Sequence, residues 1–96
     1  MATTTVSIPR AAVDSLLPAL AGRDRHPSAF LVWLWLATRA TTGRRGVAAS
    51  YAAIAAGTGL SRSAAQGAVA HLLKRRWLKV SRESATATPV YQVVRP

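Results

Sequence analysis

From Phe30 to Leu36 the hydrophobic positions run without a break: Phe30, Leu31, Val32, Trp33, Leu34, Trp35, Leu36. Ser28 is a suitable N-cap, so the pattern predicts a helix over about Ala29 to Thr41. A helix that is apolar all round is buried on more than one side. One side is expected against the helices that follow. Another is expected against either the Val13–Leu20 segment or a second copy of the chain, and the period does not distinguish the two. Upstream, Val6 and Ile8 alternate with Ser7, as in a short strand. Pro9 then opens a helix carrying Val13, Leu16, Leu17 and Leu20. Pro18 limits it, because an internal proline loses a hydrogen bond and clashes with the preceding turn. Met1–Thr5 reads as a frayed terminus and Gly22 to Pro27 as a polar connection.

Downstream the period changes twice. After a loop over Thr42 to Gly46, Val47 is a candidate for a single short strand. Ser50 caps a helix of about Tyr51 to Gly57, and Ser61 or Ser63 caps the next, which runs to about Arg75. Ser63 with Gln66 has capping-box spacing, so both starts stay open. Between these helices lies Gly57-Thr58-Gly59-Leu60-Ser61. Two helices that cross steeply need a residue accepting positive φ, which Gly59 supplies. Ala55 is small where they approach, and Ile54 and Leu60 wedge between them. Trp77 to Ser81 then alternates with period two. So, less cleanly, does Val90 to Val94, giving a hairpin with a polar loop over Arg82 to Pro89.

Charge sharpens this picture. Thirteen Lys and Arg stand against three acids, Asp14, Asp24 and Glu83, for a net charge of +10. Such an excess favours nucleic acid or an anionic membrane surface over a neutral small substrate. Half the residues are hydrophobic, but twenty are alanine. The bulk of any core must therefore come from the tryptophans, Phe30 and the Leu, Val and Ile set. Cysteine is absent, which excludes disulfides and thiolate metal sites. The longest apolar run, Ala29–Ala37, is far short of the roughly 20 residues that span a bilayer. The N-terminus lacks a secretory apolar region. A cytoplasmic protein with no membrane attachment is expected. His26 and His71 read as lone imidazoles without metal-ligating partners. Paired carboxylates, a nucleophile elbow and a GxxxxGK phosphate loop are all missing, so neither an enzyme nor a cofactor is expected.

Ser50, Ile54-Ala55, Thr58-Gly59-Leu60-Ser61, Ala65, Val69, Leu72 and Trp77-Leu78 carry a resemblance. Residues 28–80 resemble a winged helix-turn-helix DNA-binding domain of small bacterial, plasmid and phage regulators. The resemblance implies a three-helix core, a β-hairpin wing, double-stranded DNA as partner and usually a homodimer. The expected fold is therefore mainly α with a small β-hairpin (α+β). Residues 28–96 form the DNA-binding domain, and residues 1–27 an N-terminal extension and candidate dimerisation arm. Two positions depart from the pattern. Ala65 stands where such domains carry a larger aliphatic residue, and Gly67 sits inside the recognition helix, where glycine costs about 1 kcal/mol relative to alanine.

At about 100° per residue, Ala65, Ala68, Val69 and Leu72 face the core, while Ser63, Gln66, Gly67, Ala70 and Lys74 face the other way, with Arg62 at the edge. If that second side meets DNA, Gln66 suits adenine, Arg62 suits guanine or phosphate, and Ala70 suits a thymine methyl. Ser61, Ser63 and the helix N-terminus suit a phosphate, and Gly67 permits close approach. Arg44 and Arg45 are candidate phosphate contacts, as are Lys79 and Arg82 on the wing, Arg82 being best placed for a narrow minor groove. With few long side chains on this face, most affinity is expected from phosphates. Phe30, Trp33 and Leu34 are the candidate dimerisation residues. The leading expectation is a dimeric transcriptional repressor. A plasmid or phage replication or partition protein, a basic RNA-binding protein and a protein-interaction winged helix remain as alternatives.

Overall fold

Pro18 does not end the first helix. In the computed structural model, which describes residues 5–40 and 46–96, the chain passes through it by widening its turns. Two π-helical segments, Ala12–Leu16 and Pro18–Arg23, follow one another, and the Leu17 N–H reaches back five residues to the Ala12 carbonyl. Widened turns are a common accommodation of a residue that breaks the α-helical ladder. They also change which residues share a face. Ala12, Leu16 and Leu20 are fully buried at a spacing of four, whereas Val13, expected in the core, is 53% exposed. The strand expected at Val6 to Ile8 is absent: these residues pair with no strand, although Ile8 packs against the core.

Helix α1 spans Pro27–Arg39. It begins with the proline rather than after Ser28. Pro27 has the φ of a first helical turn, and its missing N–H has no partner to lose there. His26 precedes it and makes no side-chain cap. Ala29, Phe30, Val32, Trp33, Leu36 and Ala37 are buried. Both the N-terminal helix and the third helix of the core pack against α1. The apolar excess of α1 is thus largely covered within its own chain. Phe30 and Trp33 lie in that core with rings stacked at 6.2 Å, and Trp33 Nε1 donates to the Val94 carbonyl at 3.2 Å. Neither is free to form a dimer surface, which corrects the expectation for these two residues. Leu34 is half-buried, and Leu31 is exposed beside it.

Strand β1 (Val47–Ala48) leads to α2 (Tyr51–Thr58) and α3 (Arg62–Lys74), then to β2 (Leu78–Ser81) and β3 (Val90–Val93). The three strands form one antiparallel sheet in the order β1-β3-β2, with Leu78 opposite Val93 and Val80 opposite Tyr91. Ser50 Oγ accepts from the Ala53 N–H and Ser61 Oγ from the Ala64 N–H, both at 3.1 Å, so Ser61 rather than Ser63 caps α3. Gly59 closes α2 with φ +80°. Gly57 has a different task. It lies inside α2, and a Cβ there would run into the indole of Trp35. That indole N–H is buried with no hydrogen-bond partner among the described residues.

The end of α3 is closed by a less usual residue. Arg76 takes φ +64°. The Trp77 N–H reaches the Leu72 carbonyl at 2.9 Å and the Arg76 N–H reaches Leu73 at 3.1 Å. This is the Schellman closure, normally completed by glycine. A non-glycine residue in that region costs roughly 1–2 kcal/mol. One core unites these elements: Leu16 and Leu20 of the N-terminal helix share it with Trp33, Leu36, Ile54, Val69, Leu72, Leu78 and Tyr91.

Candidate nucleic-acid interface

Helix α3 divides cleanly. Ala65, Ala68, Val69 and Leu72 are buried, while Arg62, Ser63, Gln66, Gly67, Ala70 and Lys74 are exposed. The exposed stripe contains no acid and ends in two cations, Arg62 and Lys74. Ser61 lies at its N-terminal end, exposed, with its hydroxyl engaged in capping Ala64. A Cβ on Gly67 would meet nothing within 4 Å. Neither backbone angle nor packing within this chain therefore demands glycine there.

Lys79 and Arg82 are exposed on the hairpin. Leu78 is buried against the core, but Val80, two residues on and on the same strand face, is 43% exposed, so the hairpin projects past the core. Arg44 and Arg45 lie outside the described residues. Tyr91, central in the sheet, is kept neutral: burial, with the nearby Tyr51 hydroxyl adding to it, pushes its hydroxyl up to about 12.

Asp24, His26, His71 and Arg75 meet where no sequence period joins them. Arg75 forks onto Asp24, donating from Nε at 3.0 Å and Nη2 at 2.7 Å, and His71 Nε2 hydrogen-bonds the same carboxylate at 2.8 Å. The two imidazoles stack with centroids 4.6 Å apart, so they are not lone residues. The hydrogen bonds from Arg75 and then His71 outweigh desolvation and hold the Asp24 carboxyl at about 2, below its ordinary 3.8. The same contact raises Arg75 above its usual value. Arg75 is thereby committed to the protein, whereas Lys74 and Arg76 beside it remain exposed.

The arrangement offers an exposed, acid-free stripe on one helix, a projecting basic hairpin and a salt-bridged hub at the far end of α3. Sequence periodicity located the first two. The hub was missed, although one acid inside Arg23-Asp24-Arg25-His26, in a chain with three acids, was a usable signal. Comparison of the chain with models of known protein families, with characterised proteins and with solved structures returns no match.

Proposed function

We propose that this chain is a winged-helix protein that binds double-stranded DNA and regulates transcription by occupying its site. The observation that carries the reading is the exposed, acid-free stripe of α3 set directly opposite the helix's buried face. A helix held on one side by the core, with its other side small and cationic, suits a major groove. The element order α1-β1-α2-α3-β2-β3 and the sheet order β1-β3-β2 are compatible with a winged helix. In this reading Arg62 and Gln66 meet base edges, Ser61, Ser63 and Lys74 meet phosphates, and Gly67 and Ala70 set the closeness of approach. Lys79 and Arg82 follow the backbone on the flank.

The homodimer of this reading is assigned to the outer side of α1, where Leu31 is exposed and Leu34 only half-buried.

The test is a mobility shift on duplex from the protein's own promoter region. Arg62→Ala with Gln66→Ala is expected to weaken binding by ten- to a thousand-fold, as the loss of one or two base contacts does. Unchanged affinity overturns the assignment of α3. Competition with duplex RNA, whose major groove is too narrow for a helix, separates this reading from RNA binding.

A further inference from the structure

The N-terminal helix and α3 end against each other at one carboxylate. The Asp24 side chain is only 8% exposed and is gripped by Arg75 and His71. On either side of this bridge stand cations. Arg23 and Arg25 flank Asp24 in the chain, Lys74 and Arg76 flank Arg75, and all four are exposed. Among the described residues, ion pairs join Arg10 to Asp14 and Asp24 to His71 and Arg75, and none involves these four.

The backbone adds an independent observation. Among the described residues two non-glycines have positive φ, Arg25 at 52° and Arg76 at 64°. They are the residues next to the two partners of the bridge, each just past a helix end, where glycine relieves strain. Strained non-glycine positions of this sort concentrate where a side chain has a task. Here the same side chain, arginine, occupies both. With Asp24 paired to Arg75, the four cations adjoin the bridge in the chain, and among the described residues no ion pair offsets them. Such a cluster is relieved by an anion of repeating charge.

We propose that Arg23, Arg25, Lys74 and Arg76 form a second phosphate-gripping site, with Asp24 as its positioning residue. The site takes the phosphodiester backbone of duplex DNA flanking the stretch that meets α3. The inference rests on the DNA-binding reading. It assigns the N-terminal helix to the DNA surface, and it makes contacts that carry no base preference.

Arg25→Gly with Arg76→Gly removes two guanidiniums while suiting the backbone, so the double variant is expected to melt no lower than the parent. Anisotropy with labelled duplex across a sodium chloride series reads the rest. Affinity is expected to fall by the same factor for preferred and random duplexes. The slope of log K against log salt is expected to shrink by roughly 2, since each phosphate contact contributes about 0.9. Arg10→Ala with Arg39→Ala removes the same formal charge elsewhere: Arg10 pairs with Asp14, and Arg39 lies over the Trp35 ring. That variant is expected to keep the parental slope. A parental slope in the Arg25/Arg76 variant, or an equal loss in the control, overturns the inference. If Arg62→Ala/Gln66→Ala weakens binding while Arg25→Gly/Arg76→Gly does not, the DNA-binding reading stands and this site falls. A parent that binds no duplex overturns both.

Discussion

Gly67 has no structural reason within the chain to be glycine. Its side-chain position faces open space in the middle of an exposed helical stripe. Gly67→Ala is therefore expected to stabilise the protein by about 1 kcal/mol through helix propensity. In a domain of this size that raises the melting temperature by about 4–8 °C. In the DNA-binding reading the same methyl group holds the duplex away and lowers affinity. A melting curve and a binding isotherm on one variant give the two opposed signs. A parallel fall in both identifies a packing role instead. Asp24 supplies the second prediction at this scale. Its folded pKa of about 2 lies below the ordinary 3.8, so its ionised form favours the folded state. That contribution is complete above about pH 3.8 and is lost as pH falls through about 2. The melting-temperature gap between the parent and Asp24→Asn is expected to close across that window and to be constant at neutral pH.

Elements here are set by how helices end and how closely they approach. Gly57 sits in α2 against the Trp35 indole, with no room for a Cβ. Gly57→Ala is expected to cost about 1–3 kcal/mol, because the half-buried Trp35 indole must shift to admit the methyl group. Denaturant unfolding measures it, and a neutral result shows that α1 and α2 slide apart freely. The element boundaries show what periodicity reads well. Ser50 and Gly59 bound α2 through a local hydrogen bond and a local dihedral, and both were legible in the chain. The hairpin was legible for the same reason. Three local readings failed because a neighbour's packing outweighed them. Ser28 lost the N-cap to the geometry of Pro27. Pro18 was absorbed by π-turns that keep Ala12, Leu16 and Leu20 on the core. Val6 and Ile8 alternate, yet no strand edge pairs with them.

At the scale of the whole molecule, the DNA-binding reading makes the basic surface the main determinant of association. In that reading a chain of net charge +10 is expected to lose duplex affinity steeply with salt, by about 10³-fold or more between 50 and 200 mM if it contacts six phosphates. Weak salt dependence points to the protein-interaction alternative. Light scattering at micromolar concentration is expected to give twice the 10.2 kDa chain mass. Leu34→Lys is expected to return it to one chain, since that residue is half-buried on α1. A single-chain mass for the parent removes the dimer. Phe30 and Trp33 do not offer that surface, because both are buried within the single chain.

The sequence by itself determined the local grammar: where α2 starts, where Gly59 turns the chain, which side of α3 is apolar, and that the chain carries a large excess of positive charge. These follow from contacts a few residues apart, which a linear reading can reach. Tertiary structure alone decided that the N-terminal helix covers one side of α1. It also decided that Asp24 and Arg75 meet across fifty residues, and that Arg25 and Arg76 stand beside them under backbone strain. Long-range pairings of this kind depend on how helices dock, and docking depends on shape and volume that no period along the chain records.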